Sequence, residues 1–396
     1  MSEKPVALLL SPVLPEPGAS GRALRAWGWL QELQRDYRVY VLLPVAPDEL
    51  PEITGDYPAE AVLAIGAAIV PARRYELLLT MLFPFSVLWS RRGVIGWLPC
   101  NAAVLQALTA SLDGQPVERI VVFRLYLHDV ARTLTARFPQ ARTELDLDDH
   151  ESRTRLSVAS CLLRMGHYRE AIITCASALQ FALLERLMPG RYKSLCMAAE
   201  DDCHNFSTRM SASIIYRPNT IAGPKNVVAL QQSDETRLLF VGTLNYAPNE
   251  EAVRDILRYL LPELMRSGLR WHLSVVGRNA SPELQSLLQA AAQVELLSDV
   301  DDIAACYAAA QIVLVPLRAG GGTKLKTLEA FAHRRPVVST AQGVRGLRAV
   351  AGEHYLPARD AGQFAAAIVH LAGDPAMAVR IADAGWSLWH TRFRQL

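Results

Sequence analysis

The 396-residue chain has no CxxC pair, no block of like charge and no apolar run long enough to cross a bilayer. Its six cysteines, Cys100, Cys161, Cys175, Cys196, Cys203 and Cys306, form no regular framework, so reduced thiols in a cytoplasmic compartment are expected. Basic and acidic residues nearly balance, 41 against 39, and nothing basic clusters, which argues against nucleic acid as a partner. The start, MSEKPVALLLSPVLPEPG, is too short in its apolar run and wrongly flanked for a signal peptide. A cytoplasmic protein is expected. Core-forming residues, in contrast, are plentiful. With 51% hydrophobic residues over a length that exceeds one ordinary core, two domains are expected.

The most informative stretch is 311–340, QIVLVPLRAGGGTKLKTLEAFAHRRPVVST. An apolar run at 312–317 meets Gly320, Gly321 and Gly322, and a helical pattern opens at Thr323, giving strand, glycine turn and helix. Bare glycine amides and a helix start are the parts of a phosphate site. Lys326 and Glu329 lie three apart and share a helix face, whereas Lys324 and Glu329 lie five apart and do not. A cation beside phosphates and a carboxylate one turn on suit a nucleoside diphosphate with its ribose hydroxyls. The plainer alternative is a strand-to-helix turn with solvated lysines.

The runs LLFVG (238–242), WHLSVVG (271–277), 312–317 and PVVST (336–340) are separated by segments of helical period, the pattern of a parallel, helix-covered sheet. Together FVGTLNYAPN (240–249), VVGRN (275–279), DVDDI (299–303) and the glycine stretch resemble the donor half of a GT-B glycosyltransferase of the family 4 type, over nearly all of the chain beyond Pro218. The resemblance implies an α/β fold of two Rossmann-like domains facing a central cleft. Residues 1–222 would bind the acceptor, 223–373 would bind the nucleotide-sugar donor, and a terminal helix at 374–396 would cross back to the first domain. It implies no cofactor beyond the donor substrate itself.

Two departures from that family stand out. Its retaining members use two glutamates eight positions apart; Glu329 matches the second, but Gly321 stands where the first belongs. They also use an Arg and a Lys in the loop that here runs Gly242, Thr243, Leu244, Asn245, Tyr246, Ala247, Pro248, Asn249, with neither cation. Lys326 is therefore the first candidate to neutralise the leaving diphosphate, with Arg318, Lys324 and Arg278 as further candidates, while Gly242 and Thr243 keep the backbone approach. No metal site is indicated.

In the first half, 6–10 and 39–44 read as strands around the loop EPGASGR, whose Gly18, Gly21 and Arg22 match positions that approach donor or acceptor in the resembling enzymes. A plain strand-to-helix turn is the alternative. The strand at 142–147 ends in Asp148, Asp149, His150 and Glu151. Catalytic or acceptor-binding groups belong at such a strand end, although either aspartate alone is equally a helix cap and His150 a surface histidine. The apolar segment 77–89, flanked by Arg73, Arg74, Arg91 and Arg92, reads as a core helix broken at Pro84, or as a peripheral contact with an anionic membrane surface carrying a lipid-linked acceptor. Residues 152–188 read as one or two long helices, and Trp386, Trp389 and Phe393 as one aromatic face used for packing.

Three function classes follow. The first is a retaining, metal-independent transferase acting on a sugar, lipid-linked or small-molecule acceptor in surface-polysaccharide or secondary-metabolite assembly. The second is a GT-B nucleotide-sugar epimerase, and the third an inactive relative serving as a partner subunit. Oligomeric state is not written in the sequence.

Overall fold

The computed structural model describes residues 4–17, 20–53, 56–65, 102–112, 114–210, 214–231, 233–298, 300 and 302–395. Gly18, the apolar segment 77–89 with its flanking arginines, and Asp299 and Asp301 of the DVDDI run lie outside them. The chain divides into two compact units, 1–156 with 172–218, and 157–171 with 219–396.

The first unit is built on a seven-stranded sheet in the order β3-β2-β1-β4-β5-β6-β7, with every pairing parallel. The strands are β1 (Val6–Leu10), β2 (Arg38–Leu43), β3 (Ala61–Ala64), β4 (Val117–Phe123), β5 (Arg142–Asp148), β6 (Ser194–Met197) and β7 (Ile214–Tyr216). Helices on both faces bury a parallel sheet completely, which is why β1 is apolar at every position instead of alternating. Leu8 and Leu10 pack on one face with Val122, Phe181 and Phe206, while Ala7 and Leu9 pack on the other with Trp29, Leu30 and Leu33 of the helix Gly21–Asp36. That helix starts where Ser20 Oγ accepts the Ala23 N–H at 3.2 Å.

Strand β5 departs from the rule. Leu145 and Leu147 point into the first of those cores, and the alternate residues Glu144 and Asp146 are buried carboxylates. Each is met by a guanidinium. Arg119 Nη2 lies 2.6 Å from Glu144 Oε2, and Arg25 grips Asp146 through Nε at 2.7 Å and Nη2 at 2.8 Å. Trp29 Nε1 donates to the same Asp146 at 2.6 Å, and Arg217 lies 3.6 Å over the Trp29 ring. Burial alone would raise the Asp146 pKa; the Arg25 charge and these donors outweigh it and hold it below the usual range.

The second unit has a six-stranded parallel sheet in the order β10-β9-β8-β11-β12-β13. Its strands are β8 (Thr236–Val241), β9 (Trp271–Val276), β10 (Val294–Leu297), β11 (Ile312–Val315), β12 (Val337–Ser339) and β13 (Leu356–Pro357). The exits of β8 and β9 touch: a Cβ on Gly277 would sit 2.0 Å from the Gly242 carbonyl oxygen, so only glycine fits there. The terminal helix Pro375–Arg392 belongs to this unit. Gly385 leaves room for Phe331, which a Cβ would approach to 2.6 Å, and Trp389 lies over Gly223. Ile221 N–H donates to the Phe393 carbonyl at 2.9 Å. Trp389 and Phe393 are thus packing residues of the second unit.

Candidate functional site

In the second sheet the strand order runs outward in opposite directions from β8 and β11. Their connections leave to opposite sides and open a crevice at the carboxyl ends of the two strands, where parallel sheets bind ligands. The Gly242 loop follows β8 and the triple glycine follows β11, so the topology brings the two sequence motifs together.

The glycine turn uses the freedom of its residues: Gly320 and Gly322 have φ of 109° and 60°, which side chains disfavour. Gly320 N–H donates to Ser157 Oγ at 3.1 Å, and its carbonyl accepts from Gln342 Nε2. The helix begins at Leu325, two residues later than the pattern suggests. Among the described residues no acceptor meets the backbone N–H groups of Gly321, Gly322, Leu325 and Lys326. Four open donors and the positive helix end form a ready anion seat.

Lys326 stands beneath that seat and reaches back to the other motif. Its Nζ donates to Asn249 Oδ1 at 2.7 Å and lies 4.4 Å from the Phe240 ring centroid. Asn249 Nδ2 in turn donates to the Thr243 carbonyl at 2.9 Å, so one amide ties the lysine to the β8 loop. Gly242 has to be bare, because a Cβ would lie 2.8 Å from both Lys326 Nζ and Asn249 Nδ2. Burial, and then the neighbouring Lys324 charge, bring the Lys326 pKa down to about 7, with Glu329 opposing.

Lys324 requires a correction. It precedes the first helical residue, so helix-face arithmetic does not apply to it; it is buried under the turn with Nζ 2.6 Å from the Gly321 carbonyl. A Cβ on Gly320 would sit 3.5 Å from that Nζ and 3.2 Å from the Tyr246 hydroxyl. Two ammonium groups, not one, attend the glycines.

Glu329 is fixed by a residue the sequence reading did not single out. The Tyr307 hydroxyl donates to Glu329 Oε2 at 2.8 Å, and His333 stacks on the Tyr307 ring at 5.0 Å. Burial raises the Glu329 pKa while the Tyr307 bond and Lys326 pull it down. Thr243 is exposed beside the seat, and Arg278 is exposed at the end of β9 with its carbonyl accepting the Leu244 N–H at 2.8 Å. Arg318 turns elsewhere, pairing with Asp255 at 3.2 Å in the wall of a separate cavity.

In the first unit Asp148 and Asp149 do sit at the carboxyl end of β5, but as members of an ion network. Arg124 Nη1 binds Asp148 Oδ2 at 2.7 Å and lies 3.5 Å from Asp149 Oδ1, and its Nη2 binds Glu151 at 2.6 Å. Asp149 also accepts from Thr154 Oγ1 at 3.2 Å within the helix that Glu151 opens. Arg124 and Asp148 both have positive φ, 87° and 62°, a strain concentrated at adjacent strand ends. Burial, then the charges of Asp149 and Asp146, raise the Asp148 pKa against the pull of Arg25 and Arg124. His150 is neither a surface residue nor open to a substrate. It is 2% exposed, lies edge-on to Phe206, and its Nε2 is 3.1 Å from Glu185, which also takes both Ser152 donors. Gly21 and Arg22 are exposed at the start of the first helix, and Arg22 bears electrostatically on Tyr126.

Comparison with known proteins agrees with the fold. Residues 235–374 match the model of a family described as glycosyl transferases group 1. Sucrose-phosphate synthase from Thermosynechococcus elongatus superposes with a TM-score of 0.70 at 16% identity, covering 99% of this chain and 95% of that one. Anabaena HepE, solved with UDP and glucose, gives 0.59 at 13% identity over 99% and 96%. WaaG, a glycosyltransferase involved in lipopolysaccharide biosynthesis, gives 0.56 at 15% identity over 98% and 95%. No curated protein sequence matches the chain. The chain has the GT-B fold, and its residues 235–374, which hold the glycine turn, Lys326 and Glu329, are similar to the glycosyl transferases group 1 family.

Proposed function

We propose that this protein transfers a sugar from a nucleoside-diphosphate sugar, UDP-linked by the example of HepE, to a sugar, lipid-linked or small-molecule acceptor. The observation that carries it is the convergence of four open backbone N–H groups, two ammonium groups and one oriented carboxylate on the β8/β11 crevice. The amides and the helix end receive the diphosphate, and Glu329 Oε1, which no described side chain engages, accepts from a ribose hydroxyl.

Departure of the diphosphate leaves negative charge that Lys326 and Lys324 neutralise in a site of low dielectric. These residues do the work of the missing Arg and Lys, so the empty loop at 242–249 is no argument for an inactive partner subunit. We further propose transfer with retention and without metal, in surface-polysaccharide or secondary-metabolite glycoside assembly. WaaG's role in lipopolysaccharide biosynthesis supports the first of these settings. An epimerase would need acids and a free histidine around one small substrate, and His150 is committed to Glu185.

The test is a thermal-shift screen against UDP, GDP, dTDP and ADP, since a ligand that binds only the native state raises its stability by mass action. A rise in Tm with UDP larger than with the others is expected. No rise with any of the four would refute the donor assignment.

A further inference from the structure

A second cavity, of about 460 Å³, opens in the same unit, and none of Gly242, Gly320 to Thr323, Lys326 or Glu329 lines it. One wall is a π-turn at Ile256–Leu260, where Leu261 N–H bonds to the Ile256 carbonyl five residues back and Pro262 has no N–H to restore the regular ladder. The wider turn carries Arg258 and Tyr259 at the cavity wall, the guanidinium 5.3 Å over the ring centroid. The other walls are Pro316, Arg318 and Thr340 at the exits of β11 and β12, and the start of the helix Ala361–Gly373 with Arg359 and Phe364.

Charge and shape specify the occupant. Of the four arginines, Arg318 is paired with Asp255 at 3.2 Å, and Arg266 with Glu263 at 2.7 Å. Asp360, the third acid in the lining, is spent capping the helix, accepting the Gln363 N–H at 2.9 Å. Among the described residues no ion pair holds Arg258 or Arg359. Four guanidinium groups against three carboxylates leave the lining net positive by one, and Arg258 and Arg359, which stand outside the close ion pairs, are the groups placed to receive a phosphate monoester, about −1.5 to −2 at neutral pH. The volume lies within the usual range of small-molecule sites, roughly 300–1,000 Å³, and is several times what a bare phosphate fills. Tyr259 and Phe364 supply apolar faces, and the carboxylates of Asp255 and Glu263 supply acceptors for hydroxyl groups.

We propose that this cavity is a second ligand site, for a small sugar monophosphate, separate from the donor seat. It stands independently of the donor assignment, because none of its residues is shared with it.

The experiment is calorimetric titration of the full chain with glucose 6-phosphate as probe, beside glucose and inorganic phosphate. Glucose 6-phosphate should bind at least tenfold more tightly than either. The double variant Arg258→Ala/Arg359→Ala should weaken it by tenfold or more; both residues are exposed, so an unchanged Tm is expected and serves as the folding control. Saturating UDP should leave the glucose 6-phosphate affinity within twofold. Absence of binding, equal binding of inorganic phosphate, full binding by the double variant, or displacement by UDP would each overturn the assignment, the last by moving the ligand to the glycine turn.

Discussion

Lys326 concentrates the chemistry of the site. An ammonium resting on the Phe240 ring, with one amide oxygen as its hydrogen-bond partner and a second ammonium nearby, carries its charge at a cost until an anion arrives. Burial brings the Lys326 pKa down to about 7, and a bound diphosphate favours the charged form and raises that value. Between the two values, binding takes up a proton. UDP affinity should therefore fall as pH rises above about 7, by at most about tenfold per unit, and Lys326→Arg should flatten that slope because a guanidinium stays charged. Dissociation constants at pH 6.5, 7.5 and 8.5 check the sign; an affinity that rises with pH in the parent would contradict it.

Asn249 positions this lysine. Asn249→Leu removes the acceptor of a buried charge, and a hydrogen bond of that kind contributes about 1.5–3 kcal/mol, so donor affinity should drop roughly tenfold to a hundredfold with the pH midpoint displaced downward. A leucine variant with the parent's pH profile would leave Asn249 a merely structural role. The sequence made Lys326 and Glu329 legible because three-residue spacing on a helix is a reliable rule. Asn249 lay within a motif already singled out, but its pairing with Lys326 spans 77 positions. Tyr307 gave no signal at all, sitting in a helix that reads as ordinary packing.

At the scale of elements, most of the strands found in advance are continuous apolar runs buried on both faces, and the strand at 142–147 is the exception. β3, β10 and β13 went unnoticed because an edge strand pairs on one side only and its pattern is short and diluted. In β5 the strand itself was legible but the place of its carboxylates was not: Glu144 and Asp146 are interior because Arg119 and Arg25, far away in the chain, neutralise them. Removing one partner of such a pair strands a buried charge, so Asp146→Ala should destabilise the first unit by about 3–5 kcal/mol in urea unfolding. A loss under about 1 kcal/mol, typical of exposed pairs, would contradict the buried-pair account. Gly277→Ala should likewise disturb the β8 exit, since the methyl would overlap the Gly242 carbonyl.

At the scale of the whole molecule, the order of the strands in each sheet fixes where a ligand can sit, and the motifs fall at that place in the second unit. Composition foretold two domains, and the break between Pro218 and Asn219 lies four residues before the point read from the linker. The assignment of 157–171 to the second unit was invisible, because it depends on contacts such as Arg164 with Glu251 across 87 positions. With two ammonium groups and open amides to receive the diphosphate, turnover should survive excess EDTA; activity lost to EDTA and restored by Mg²⁺ or Mn²⁺ would show that a metal carries that charge.

The central claim is that the β8/β11 crevice holds a nucleoside diphosphate between the glycine turn, Lys326 and Glu329. It is tested most directly by calorimetric titration of UDP at pH 6.5 into the parent, Lys326→Ala and Glu329→Ala. One site per chain is expected in the parent, with affinity weakened roughly tenfold to a hundredfold in each variant while their unfolding transitions stay close to the parent's. Parent-like affinity in both variants would place the nucleotide somewhere else and contradict the account.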